Sequence, residues 1–378
     1  MGVNVIKLGE LCEILDSKRK PVTKKDRVAG EYPYYGATGV QDYVADYIFD
    51  EKLVLVGEDG AKWGAGENTA YAISGKCWVN NHAHVLRPNR NKVLDNYIIY
   101  YLNQLDLRPY ITGAIIEKLN QEQLRNILIP LPTIEEQNRI VTLMDKADEI
   151  RTKKKLANDK LDEFLKSTFI SMFGDPVNDK TIPKEHLEKY LVYVQNGISR
   201  RRKIPQNIGE IVFRIKEIRE NYIDYSDINR IPLDDKEKDK YRININELLF
   251  IRVNGNKDYV GRNTVFRGYN EDTFFNDHIM RVKINESELN PIYLSRFLNL
   301  PFGKEEIKKY VKTSAGQFTI NQQGLGSVEL PIPPIEDQNK FAQIVEKVEA
   351  QKQKNELVIE QMNNLFNSLS QRAFKGEL

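Results

Sequence analysis

The sequence predicts an α+β protein made twice over: two α/β domains separated by two long antiparallel helices in a pseudo-two-fold arrangement. Three observations lead there. The phrase "IPLPTIEEQNRI" at 129–140 returns as "LPIPPIEDQNKF" at 330–341. Each copy precedes a stripe of apolar residues at helical spacing and follows a segment of short β-branched and aromatic runs. The chain has 378 residues, more than the roughly 100 to 200 of a single domain.

The repeat is gapless. Asn120, Leu124, Pro130, Pro132, Ile134, Glu135, Gln137 and Asn138 match Asn321, Leu325, Pro331, Pro333, Ile335, Glu336, Gln338 and Asn339 at one offset of 201 (331 less 130). A constant offset marks a duplicated unit.

Taken in chain order, residues 1–133 hold the runs "YVADYIF", "KLVLVG", "AYAIS" and "AHVLRP", separated by Gly, Asp and Asn, and then the helical pattern "LDNYIIYYLNQ". They form the first α/β domain. A long helix is expected over 134–173, with Thr133 and Glu136 as a capping box and Pro130 and Pro132 keeping the approach extended. Its stripe reads Ile140, Leu143, Ala147, Ile150, Ala157, Leu161, Phe164 and Thr168. Residues 183–333 repeat the β-rich texture with "EIVFRI", "ELLFIRV", "NTVFRG" and "IMRVKI", closed by "NPIYLSRFLNL". The second long helix spans 334–374, with Pro334 as an early helical position and a stripe through Phe341, Ile344, Val348, Val358, Met362, Leu365 and Leu369. At roughly 35 residues each helix would be about 50 Å long. The seams weaken at Ile150 and Lys154 and at Gln351 and Asn355, so an antiparallel pair would bring its polar middles together.

Composition narrows the class. Hydrophobic residues make up 40% and charged residues 29%, as in an ordinary globular protein. No signal-like leader and no apolar run of about 18 residues is present, so the expectation is a cytoplasmic protein without membrane contact. Cys12 and Cys77 have no metal or redox spacing and read as core residues. Net charge is only +2, so any nucleic-acid role must rest on local patches such as "KRKPVTKKDR", "KKK" at 153–155 and "RRRK".

The candidate chemistry is thin. "GEDGAKWGAG" lacks the ending of a phosphate loop. Glu58, Asp59 and Lys62 resemble the parts of a nuclease centre, an alternative in which the chain itself cuts DNA. His82 and His84, alternating in a strand, would share a face and could offer two metal ligands, but no ligand set completes them in sequence. No Ser-His-Asp, H-E-x-x-H or G-x-G-x-x-G pattern occurs. Neither does the Asn/Asp-Pro-Pro-Tyr/Phe element of amino-methyltransferases, so no catalytic residue, metal ligand or cofactor site is expected in this chain.

Recognition remains. Lys and Arg suit phosphates, Arg and Asn suit base edges, and Gly permits close approach. The candidate DNA-binding residues are Lys18, Arg19, Lys20, Lys24, Lys25, Lys62, Trp63, Asn81 and His82 in the first domain. In the second they are Arg200, Arg201, Arg202, Lys203, Arg252, Asn254, Asn256, Lys257 and Arg262. "EYPYYGATGV" and "GEDGAKWGAG" show no counterpart in the second domain. A coiled-coil adaptor without DNA binding is the other alternative.

The duplicated proline-to-glutamine phrase, each copy followed by a long helix and preceded by a β-rich domain, resembles the specificity (S) subunits of type I restriction-modification systems. "VLVGEDGAKWG", "CWVNNHAHVL" and the C-terminal "QRAFKGEL" are similar to phrases of that family, and the resemblance covers essentially the whole chain. It implies two target recognition domains, each reading half of a split, asymmetric double-stranded DNA sequence, and two spacer helices that dock two methyltransferase subunits and, through them, restriction subunits. S-adenosylmethionine is then expected on the methyltransferase partner, not here.

Overall fold

The computed structural model describes residues 4–113, 116–199, 208–314 and 316–375. Contacts divide the chain into two compact units, residues 1–157 with 355–378, and residues 158–354. Each contains one β-rich domain and part of each long helix.

In the first unit a four-stranded antiparallel sheet runs Cys12–Ile14, Ala83–Pro88, Leu53–Gly57, Ala70–Ile73. Its central strand "LVLVG" is buried throughout, the continuous apolar run expected of a strand covered on both faces. A second sheet, ordered Gly39–Val44, Ala29–Gly36, Lys76–Val79, Phe49–Asp50, contains a parallel pairing of Ala29–Gly36 with Lys76–Val79. The helix Asp95–Gln104 packs Tyr97, Ile98 and Leu102 into a core with Leu8, Val54, Leu124 and Ile129.

The second unit repeats this plan. Leu191–Asn196, Ile279–Ile284, Leu248–Ile251 and Asn263–Val265 form the antiparallel four-stranded sheet in the same topological order. Glu210–Phe213 pairs in parallel with Thr273–Phe275, as Ala29–Gly36 does with Lys76–Val79. The segment holding "EYPYYG" therefore has a backbone counterpart that its side chains conceal. Helix Pro291–Asn299 takes the place of Asp95–Gln104, and Asn290 caps it by accepting from the N–H groups of Ile292 and Tyr293.

The repeated phrase is a junction. Leu128–Pro130 pairs antiparallel with Val5–Lys7, and Glu329–Pro331 with Lys184–His186. The glutamine three residues into each helix is fully buried. Gln137 accepts the Leu94 N–H at 2.9 Å and donates to the carbonyls of Lys92 and Pro132, both at 3.0 Å. Gln338 accepts the Asn290 N–H at 2.9 Å and donates to Glu288 and Pro333 at 3.1 and 2.8 Å. Tyr97 and Tyr293 hydroxyls donate to the carbonyls of Pro130 and Pro331. Each phrase thus ties a domain's short helix to the start of a long one, satisfying backbone groups that burial would otherwise orphan.

The long helices are Ile134–Phe173 and Ile335–Lys375, of 40 and 41 residues, so each is about 60 Å long rather than about 50. Thr133 Oγ1 accepts the Glu136 N–H at 3.3 Å. The reciprocal half of the predicted capping box is not made, because Glu136 turns to Arg139. Pro334 sits one position before the second helix, its carbonyl accepting from Asp337 and Gln338.

The helices run antiparallel within each unit: Arg151 bonds Asn363 and Lys154 bonds Asn355 in the first, and Lys352 bonds Asp162 in the second. Lys154 and Asn355 are the equivalent positions of the repeat, 201 residues apart, and meet at 3.2 Å. The buried seam is rotated from the predicted stripe. Ile140, Met144, Ala147, Leu165 and Phe169 are inside, whereas Leu143, Ile150 and Phe164 are exposed. The inner line passes through Arg151, Lys154 and Asn158, which a search for unbroken apolar spacing passes over in favour of a second, outward stripe.

Candidate nucleic-acid interface

One end of the central strands of each four-stranded sheet carries several of the candidate residues, on a backbone frame that is the same in both domains. In the first, the turn "NNH" enters strand Ala83–Pro88. Asn80 Oδ1 accepts the His82 N–H at 2.8 Å, the Asn80 N–H donates to Tyr35 O at 3.0 Å, and the Glu58 N–H donates to His82 O at 2.8 Å. In the second, "NDH" enters Ile279–Ile284. Asn276 Oδ1 accepts the His278 N–H at 3.2 Å, the Asn276 N–H donates to Phe213 O at 3.0 Å, and the Arg252 N–H donates to His278 O at 2.9 Å. The next layer matches too, because Leu119 N–H donates to Glu58 O and Ile320 N–H to Arg252 O, both at 2.9 Å.

Glu58 therefore stands where Arg252 stands, and the loop after Gly57, which showed no counterpart by sequence, has one in the loop after Ile251. The side chains on this frame differ. Arg19 Nη1 reaches the Asn81 and Ala83 carbonyls at 3.3 and 2.9 Å and pairs with Glu58 at 2.6 Å. In the second domain Arg252 itself reaches the Asp277 carbonyl at 2.8 Å. One guanidinium braces each turn, supplied from a different place in the chain: Arg19 follows the turn Asp16–Lys18, and Arg252 follows strand Leu248–Ile251.

Beside the first turn lies a cleft of about 700 Å³ lined by Lys24, Arg27, Gln41, Asn80, Asn81 and His82 among others. Arg27 lies 4.2 Å over the Tyr34 ring and pairs with Asp42 at 3.0 Å. Lys24 lines it, Lys18, Lys20 and Lys25 are exposed on the same segment, and the Lys20 carbonyl accepts from Trp78 Nε1. Gln41, Asn80 and Arg27 were missed by a reading that sought basic runs and paired motifs. Arg27 at least closes such a run.

The nuclease alternative finds no centre here. Glu58 is held by Arg19, Asp59 bonds His82 and pairs with Lys118 at 3.0 Å, and Lys62 is 80% exposed beside Glu67. Burial opposes ionisation of Asp59, but hydrogen bonds from His82 and Lys118 outweigh it and hold its carboxyl below the usual range. His82 and His84 do not share a face. His82 lies in the turn, exposed, while His84 is buried in the strand, its Nδ1 2.6 Å from Asp16 and its Nε2 2.6 Å from Leu119 O. Asp16, Glu58 and His84 place ligand atoms within 4.8 Å of one another. Arg19, at 3.4 Å from Asp16 and 2.6 Å from Glu58, already supplies the positive charge that such a cluster would draw.

The remaining candidates divide. Trp63 packs against the first domain's core. Asn254 and Asn256 shape their own loop, accepting from the N–H groups of Asn256 and Asp258 at 2.9 and 3.0 Å. Arg262 stacks 4.3 Å over Tyr259 and faces Glu220 at 3.7 Å; Lys257 is exposed. Strand Val253–Asn254 continues this end into a ribbon with Gln317–Thr319 and Lys312–Ser314. Arg200, Arg201, Arg202 and Lys203 lie outside the described residues. Ile198 is bonded to Phe275 and Asp277 at 2.9 and 3.0 Å, beside the second turn. Among the described residues no helix is long and apolar enough to cross a membrane.

The chain is similar to known proteins in sequence and in fold. The model of the type I restriction modification DNA specificity domain matches twice, over residues 1–160 and 182–361. The specificity subunit of the type I restriction enzyme StySPI of Salmonella potsdam is 26% identical over 353 residues, covering 88% of this chain and 75% of the relative. A putative type I specificity subunit of Haemophilus influenzae, S.HindORF215P, is 36% identical over 138 residues, and that match spans 36% of this chain and 35% of the relative. The crystal structure of the S subunit of a type I restriction-modification system from M. genitalium aligns over 98% of this chain and 96% of its own, with a TM-score of 0.62 at 13% identity, a likeness of fold.

Proposed function

We propose a function from one premise: this chain belongs to the type I restriction modification DNA specificity family. It is the non-catalytic specificity subunit, and it reads an asymmetric, bipartite sequence in double-stranded DNA, one half with each domain. The observation that carries this is the shared turn frame with unlike side chains. Backbone bonds around Asn80 and Asn276 repeat, while Glu58 in the first domain corresponds to Arg252 in the second and Asn81 to Asp277. One scaffold with two sets of polar groups suits two different half-sites. Of the predicted residues, Asn81 and His82 belong to the first turn and line the cleft with Lys24, and Lys18, Lys20 and Lys25 are exposed on the segment that carries Lys24. Lys257 and the run Arg200–Lys203 serve the second domain, with Lys and Arg taking phosphates. An adaptor role alone leaves these turns without a purpose.

The partners are methyltransferase subunits and, through them, restriction subunits. Two methyltransferases fit the outward face of the long helices. Leu156 and Leu357 are 52% and 55% exposed, Phe164 and Leu365 50% and 45%, and each pair is equivalent by the offset of 201 (357 less 156, 365 less 164). Matched apolar residues left in solvent on duplicated helices suit two copies of one partner. The chain carries no cofactor of its own; S-adenosylmethionine belongs to the methyltransferase, and the complex works in the cytoplasm. The test is binding by the chain with its methyltransferase to a randomised duplex library. Enrichment of a split consensus supports the proposal, and retention of all sequences alike refutes it.

A further inference from the structure

We propose that His82 and His278 read base edges at equivalent places in the two half-sites, and that the guanidinium behind each turn, Arg19 or Arg252, is a positioning group. This rests on the DNA-recognition function above and deepens it. The turn frame accounts for Asn80 and Asn276, whose side chains close each turn onto its own backbone, but it makes no use of the imidazole ring. In the first domain the ring bonds Asp59. The corresponding residue of the second domain, following Arg252 as Asp59 follows Glu58, is Val253, which cannot accept that bond. The histidine is nevertheless present in both. A residue that outlives its intramolecular partner is kept for contact outside the chain.

Base edges suit the surroundings better than phosphate does. His82 is 52% exposed and stands against the Asp59 carboxylate, and His278 follows Asp277 directly. A phosphate brought to the His82 ring would meet that negative charge, whereas the amino groups of cytosine or adenine would find an acceptor beside it. Both turns are stiff where it matters. Arg19 and Arg252 hold the carbonyl of the residue before each histidine, fixing the angle at which the ring is offered.

The experiment uses the full chain assembled with its methyltransferase, acting on a randomised duplex library whose methylated molecules are sequenced. H82Q should relax base preference about tenfold at positions in one half of the consensus only, and H278Q in the other half only. R252K should alter the same half as H278Q, and the H278Q/R252K double variant should be no worse there than H278Q alone, as expected of a group that acts through the histidine. An unchanged consensus in both histidine variants overturns the proposal. So does a uniform loss across sequences with a shallower salt dependence, which marks a phosphate contact. Melting curves of each variant complex accompany the assay. His82, on the surface, supplies the decisive pair with wild type if the half-buried His278 proves necessary for folding. A wild-type complex that methylates without any consensus refutes the DNA-recognition function itself, an outcome distinct from the failure of these two residues.

Discussion

Replacing Gln137 with leucine tests the junction between domain and helix. The side chain is fully buried and makes three hydrogen bonds, to the Leu94 N–H and to the carbonyls of Lys92 and Pro132. At a net contribution of about 1 kcal/mol for each, Q137L should cost about 3 kcal/mol, more if the Leu94 N–H finds no other acceptor. For a unit of this size that is a fall in melting temperature of about 6 to 12 °C. Hydrogen exchange followed by mass spectrometry supplies the local readout. Peptides spanning Leu94 should exchange about a hundredfold faster, since each 1.4 kcal/mol is a factor of about ten, while peptides from Leu248–Ile251 keep their protection. The matched variant Q338L should do the same at Asn290 and spare Leu94. Q137E should be at least as damaging at neutral pH, because a carboxylate would face two carbonyl oxygens. Melting within about 1 °C of wild type, with Leu94 still protected, would refute the reading of this glutamine as the tie between domain and helix.

Other consequences follow from the same contacts. Burial works against the Asp16 carboxylate, but hydrogen bonds from His84 and the Val85 N–H outweigh it and lower its pKa from the ordinary 3.8. Its stabilising effect is therefore complete above about pH 4 and lost as pH falls through the lowered folded value; urea midpoints measured from pH 6 down to pH 2 should fall less steeply in D16N. Leucine at both Lys154 and Asn355, which meet at 3.2 Å, should raise the melting temperature by a few degrees and permit slipped helix registers, read by cysteine crosslinking across the pair. Alanine at Arg200, Arg201 or Arg202 should each lower the slope of log K against log salt for DNA binding by about 0.9, and an unchanged slope would remove that residue from the phosphate contacts.

What the sequence made legible was what repeats in it. The duplicated phrase, its constant offset and the texture around it led to two α/β domains and two antiparallel helices, and even to the meeting of Lys154 with Asn355. The inner seam was harder, because Ile140, Met144 and Ala147 share their helix with a second apolar line through Leu143, Ile150 and Phe164, and one-dimensional spacing does not say which of them is covered. The interface was legible only in part. Basic runs and "NNH" stand out, but the equivalence of Glu58 with Arg252 rests on backbone hydrogen bonds, which leave no trace in residue type. For the same reason His278, visible only as the "NDH" echo of "NNH", was not counted among the DNA-binding candidates, and Arg19 was, although its charge is already met by Glu58 and Asp16.

The central claim is that each domain reads one half of a split site. Methylated adenines mapped across a randomised duplex library, after treatment with the chain and its methyltransferase partner, test it most directly. The account predicts two unlike specified blocks separated by a fixed run of unspecified base pairs. A single contiguous block, a palindrome or no consensus at all would contradict it.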